Sequence, residues 1–214
     1  LVNPDLPVLR PQDDPVHALN LMDEFNVGHL AVVDKGKFMG LTSETMLLSA
    51  ERIPNSPEEA DGLIRASVLP HEHILEVLKT ASEFHLTLVP VVDDEGNYMG
   101  AISMDTLIES LSKYQSAGEP GAIVVLEINT LDYHLSQVAR IVEENDARIL
   151  SFNTTPAQEF SRIELHLKIN REDINPILQS FERFGYDIKA SYQEPVYTED
   201  LKRRYDELMR YLNT

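Results

Sequence analysis

The chain has 214 residues, 43% apolar and 25% charged, with no cysteine and a formal charge of −18. That composition suits a folded protein of two or three small domains, and it excludes disulfides, thiolate catalysis and cysteine-ligated zinc. The negative charge opposes nucleic-acid binding, whose affinity comes largely from Lys and Arg, and no apolar run approaches the roughly 18–20 residues of a membrane helix.

From these features the expected location is the cytoplasm. Because the chain opens at Leu1 and not at methionine, residues ahead of it are also expected. The first helix should begin at Asp14-Pro15, since Asp caps free N–H groups and Pro suits the first helical position. Val16, Leu19, Met22 and Phe25 follow at helical spacing. His29–Asp34 is apolar and valine-rich, Lys35-Gly36 makes a turn, and Phe38–Thr42 returns as a second strand. Ser43 is placed to cap a helix carrying Met46, Leu47 and Leu48. The stretch Ile53–Gly62, with two prolines and three acids, reads as a solvated connection.

The same plan then recurs. At an offset of 59, Leu9 and Pro11 fall on Val68 and Pro70, Leu19 and Phe25 on Leu78 and Phe84, and Val32-Val33-Asp34 on Val91-Val92-Asp93. One inserted turn residue later, Gly36, Phe38, Gly40, Ser43 and Leu47 match Gly96, Tyr98, Gly100, Ser103 and Leu107. The second copy therefore predicts a helix over Ile74–Phe84, strands over Leu88–Asp93 and Tyr98–Ile102, and a helix over Ser103–Leu111. Each copy reads as strand, helix, strand, strand, helix.

Gly118–Gly121 marks a boundary, after which the pattern changes. Ala122–Ile128 reads as a strand; Leu135, Val138, Ile141 and Val142 form a helical stripe, and Ala147–Asn153 is the next strand. Ile163, Leu165, Leu167 and Ile169 alternate with Glu164, His166 and Lys168, as in a sheet with one wet face. Ile174, Ile177, Leu178, Phe181 and Phe184 make a second stripe ended by Gly185, and Tyr186–Tyr192 closes the set. The order βαββαβ is ferredoxin-like. From Thr198, Leu201, Tyr205, Leu208 and Leu212 share one helical seam. The expected domains are 1–60, 61–117 and 121–193, followed by a helix over 198–213.

"HLAVVDKGKFMGLTSETMLL" and "LVPVVDDEGNYMGAISMDTLI" resemble the core of CBS domains, over about residues 6–115. The resemblance implies a pseudo-symmetric pair (a Bateman module) with two clefts that take adenosine-containing ligands such as AMP, ATP or S-adenosylmethionine. Independently of it, Ser43 and Ser103 sit where strand becomes helix, so free N–H groups and a hydroxyl converge in a place suited to phosphate or ribose; helix capping alone is the plainer alternative. The candidate ligand-contacting residues are Ser103, Thr106, Asp105, Val68 and Pro90 of the second copy, with Ser43 and His29 of the first. The aspartate that the family often places six residues after the glycine is Met46 in one copy and Thr106 in the other, with Asp105 one position early. This favours the second cleft. "LDYHLSQVARIVEENDARILS" is similar to the opening of ACT domains, which implies amino-acid binding at the first loop or pairing of sheets in dimers. His134 replaces the loop glycine, so a dimerising or partner-binding role is the expectation here. The domain order resembles acetoin-utilisation accessory proteins.

Catalytic motifs are missing from the pattern. His71 and His73 are two apart and share no helical face. Asp93–Asn97 lacks the glycine position and closing glutamate of a calcium loop, and the other histidines are scattered. The expected protein is therefore not an enzyme and carries no metal. It is a sensor of a small molecule, acting as a homodimer or larger homo-oligomer with a possible regulated protein partner and without nucleic acid or membrane. The alternative is a ligand-free oligomerisation or interaction scaffold.

Overall fold

The computed structural model describes residues 1–49, 53, 62–159 and 161–193, which fall into two compact units divided between Leu111 and Ser112. Most of the connection after Ile53, and the helix expected over 198–213, lie outside the described residues.

In the first unit, β1 (Val8–Leu9), α1 (Pro15–Phe25), β2 (His29–Asp34), β3 (Lys37–Ser43) and α2 (Glu44–Ser49) make one repeat, with sheet order β1-β2-β3. Asp14 accepts the Val16 N–H at 2.9 Å and Pro15 opens α1, while Asn26 ends it in the left-handed conformation. The second repeat has α3 (Ile74–Glu83), β4 (Leu88–Val92), β5 (Tyr98–Ser103) and α4 (Met104–Tyr114). Its first strand is reduced to a parallel bridge between Val68 and Val91. His85, 59 residues after Asn26, takes the same left-handed conformation. One apolar core serves both repeats and includes Leu9, Leu30, Leu41, Leu88, Val91 and Leu107.

The repeats meet about a local pseudo-twofold axis. At one end the Phe38 N–H donates to Gly96 O (3.0 Å) and the Tyr98 N–H to Gly36 O (2.8 Å), pairing the equivalent residues Lys37 and Asn97. Phe38 and Tyr98 stack beside that bridge, and burial pushes the Tyr98 phenol up to about 12. The acidic segment before Asn97 is a hairpin turn: Asp93 accepts the N–H groups of Glu95 and Asn97 at 3.0 and 2.7 Å.

The second unit has β6 (Ala122–Asn129), a 3₁₀ turn (Thr130–Asp132), α5 (Leu135–Glu143), β7 (Ile149–Pro156), β8 (Arg162–Ile169), α6 (Asn175–Arg183) and β9 (Asp187–Gln193). The sheet order is β7-β8-β6-β9, with every pairing antiparallel, the ferredoxin-like arrangement. Val124, Leu126, Leu165, Leu167 and Ile169 share a core with Val138, Ile141 and Phe181 of the helices. β7 starts at Ile149 and not at Ala147, because the Ala147 N–H is still bonded to Val142 O in the closing turn of α5.

Candidate functional site

Both cap serines stand at the corner that sequence spacing assigns them. Ser103 ends β5 and its Oγ accepts the Thr106 N–H at 3.3 Å; the two side-chain hydroxyls are 3.0 Å apart. In the first repeat, Ser43 Oγ likewise accepts the Met46 N–H at 3.3 Å and lies 2.9 Å from Thr45 Oγ1. Both serines are thus helix caps, and the hydroxyl beside each comes from a different position of the first turn. Asp105 is exposed, a position aside from the Ser103–Thr106 pair.

The remaining candidates divide between the repeats. The Val68 N–H donates to Pro90 O at 2.9 Å, and Pro90 lies opposite Ala101 in the β4–β5 ladder, two residues before Ser103. Val68 and Pro90 are thus joined on the strands beside β5, one side-chain repeat along the ladder from the Leu88–Ser103 pair. His29 belongs to the first repeat, since its register partner is Ser43.

His29 also faces the pseudo-twofold axis. Its Nδ1 accepts the Thr87 N–H at 3.3 Å and lies 3.0 Å from Thr87 Oγ1, while Thr87 Oγ1 accepts the Gly28 N–H at 2.9 Å. An Nδ1 that accepts from a backbone N–H carries no proton of its own, so the imidazole is neutral with its proton on Nε2. Burial lowers the His29 pKa in the same direction. Thr87 was not singled out from the sequence. The signal was available: Gly28 and Thr87 are equivalent positions in the repeat, and equivalent positions meet on a twofold axis.

In the second unit a recess of about 350 Å³ is lined by Asn129, Asp132, His134, Gln137, Arg162 and Asp187. His134 precedes α5 without capping it through its side chain. The Arg162 guanidinium is bonded to the Asp187 carboxylate and, at 3.2 Å, to Glu127 O, which leaves it engaged. Among the described residues no group of three or more His, Cys, Asp or Glu is arranged to hold a metal ion, and no helix is long and apolar enough to cross a membrane.

The family model of the CBS domain matches residues 1–52 and 65–113. The first unit is thus built of two CBS-type repeats, and the chain continues into a ferredoxin-like sheet-and-helix domain. Among solved structures the chain is similar to a CBS domain pair/ACT domain protein from Thermotoga maritima, at 24% identity and a TM-score of 0.46, over 53% of this chain and 93% of that one. It is also similar to CBSX2 in complex with AMP, at 19% identity and a TM-score of 0.44, over 53% of this chain and 93% of that one. A third likeness is to the cytosolic domain of the Mg2+ channel MgtE in complex with ATP, at 21% identity and a TM-score of 0.41, over 51% of this chain and 46% of that one. No curated protein matches the chain.

Proposed function

We propose that the protein is a non-catalytic regulator that senses an adenosine-containing nucleotide in the second CBS cleft and passes the signal to the ACT-like domain. The observation that carries this reading is the Ser103–Thr106 hydroxyl pair, 3.0 Å apart where β5 becomes α4. Two hydroxyls beside the first N–H groups of an 11-residue helix suit a ribose or phosphate oxygen. Val68 and Pro90, buried in the strands beside β5, are the apolar residues proposed to meet a flat base. Asp105 stands near enough in sequence to answer a sugar hydroxyl, while Ser43 and His29 make the first corner a weaker counterpart. The ligand acts by population shift, binding one arrangement of the protein better than another.

A second copy of the chain is the proposed partner, and a regulated protein is a further one. Val16 and Leu75, Phe25 and Phe84, and Leu48 and Ile108 are equivalent pairs and all exposed, so the apolar surface of the CBS pair repeats about its own pseudo-twofold axis. Such a surface suits a symmetric partner. The same observation favours the second reading, an interaction scaffold without a ligand. The likeness to acetoin-utilisation accessory proteins rests on domain order, and a cytoplasmic site of action goes with it as part of this proposal.

Thermal unfolding against AMP, ATP and S-adenosylmethionine, with and without magnesium, tests the sensor. At about 100 times its dissociation constant a ligand stabilises by roughly 2.7 kcal/mol, a rise of about 5 °C or more for a chain of this size. The rise should vanish in Ser103→Ala/Thr106→Ala. No rise with any compound would leave the scaffold as the reading to pursue.

A further inference from the structure

Each repeat sends the segment ahead of its first helix across to the other repeat. Asn3 lies on β5, where its N–H donates to Ala101 O at 2.9 Å and the Ala101 N–H donates to Asn3 O at 3.1 Å. Ile64 lies on β3 in the same way, exchanging bonds of 2.8 and 2.9 Å with Leu41. Both crossings pass over a glycine with positive φ, Gly100 (+133°) and Gly40 (+151°). A Cβ at Gly100 would stand 2.8 Å from Asn3 O and Val2 Cγ1, and one at Gly40 would stand 2.6 Å from Leu63 Cβ. Two residues beyond each seat, on the same side of the strand, is the cap serine: Leu41 leads to Ser43 and Ala101 to Ser103.

The two arms differ in how they are held. Leu63 is buried, 6% exposed, so the second arm is pinned by a side chain in the core. Val2, which meets Gly100, is 39% exposed, so beside its two backbone hydrogen bonds this seat buries less side-chain surface than the one at Leu63. Segments with few buried apolar contacts open at low free-energy cost.

We propose that the Leu1–Asp5 arm is a strap on the second cleft, a positioning element whose seat on β5 and whose release are coupled to the Ser103–Thr106 corner. This rests on the reading of that corner as the ligand site. β5 has β4 on one side and the arm on the other at Ala101. A docked arm holds the strand two residues before Ser103, and a peeled arm frees the Ala101 N–H and C=O and lets the strand end shift. A ligand that needs the ordered corner favours the docked arm, and by linkage the docked arm favours the ligand by the same factor. The first cleft lacks this device because Leu63 anchors its arm.

Amide hydrogen exchange on the full chain tests the coupling, using Asn3→Pro, which removes the N–H donated to Ala101 O, and deletion of Leu1–Pro4, which removes the arm. Without ligand, both variants should speed exchange of the Thr106 amide about tenfold and leave the equivalent Met46 amide unchanged, within the usual range of coupling between sites. With AMP or ATP the parent should gain protection at Thr106 and in the arm, and the variants should bind about tenfold more weakly. Unchanged Thr106 exchange in the arm deletion overturns the strap whatever the nucleotides do. If instead no nucleotide alters the parent while Thr106 exchange responds to the deletion, the coupling stands and it is the sensor reading that fails.

Discussion

The two CBS-type repeats share a plan and differ where they touch. At the pseudo-twofold axis one repeat offers Gly28 and His29, the other Thr87 and Leu88. Identical residues on a twofold axis would meet their own kind, like donor facing like donor. The difference between the repeats lets the Thr87 hydroxyl accept from Gly28 and leaves His29 as an acceptor for Thr87. The arms show the same divergence, with Leu63 buried on Gly40 and Val2 half-exposed on Gly100. Symmetry of the backbone thus coexists with one-sided chemistry, and each difference can be broken separately.

The largest effect is expected at the arm seats. Gly40→Ala sets a Cβ against Leu63 Cβ, in a buried place with no flexible end to give way, and should cost roughly 2–4 kcal/mol. Gly100→Ala meets the exposed arm, which can lift, and should cost about 1–2 kcal/mol. Equal losses in urea unfolding would contradict the division into a pinned and a loose arm.

A smaller loss is expected at the axis. Thr87→Val keeps the shape but leaves the Gly28 N–H without its acceptor and His29 Nδ1 with one partner fewer, for about 1–2 kcal/mol. Thr80→Val, on α3, is the comparison; if the two lose the same stability, the hydroxyl at Thr87 has no special role.

The smallest effect depends on pH. Burial lowers the folded-state pKa of His29 below its ordinary value of 6.5. Between the two pKa values the unfolded state binds the extra proton, so stability falls as pH drops from about 6.5 toward the folded pKa and is unaffected above. His29→Leu, which copies Leu88, should flatten that slope below pH 6.5 in denaturant titrations. A slope that survives the substitution would assign it to other histidines.

Much of this architecture was legible in one dimension. The offset of 59, the Asp14-Pro15 start, the alternation from Ile163 to Ile169 and Gly185 after Phe184 are local signals, written in spacing and turn chemistry, and the elements form where those signals lie. The corners at Ser43 and Ser103 were readable for the same reason, because a cap needs only its own next three residues. Ends of elements were less so: α4 continues past Leu111 to Tyr114, and β7 runs to Pro156 because its partner β8 continues to pair with it.

What the sequence alone determined is the repeat, the class of the described elements other than the first strand of the second copy, which is only a bridge, and the two cap corners, because these depend on neighbours along the chain. Only the tertiary structure decided that the arms cross between repeats, that Gly40 and Gly100 are glycines to admit them, that His29 turns its Nδ1 to Thr87, and that Arg162 is already engaged by Asp187. Each of those joins residues far apart in the chain, some 20 to 100 positions, and which of many possible partners is met is set by how the strands stack about the axis and within the sheet.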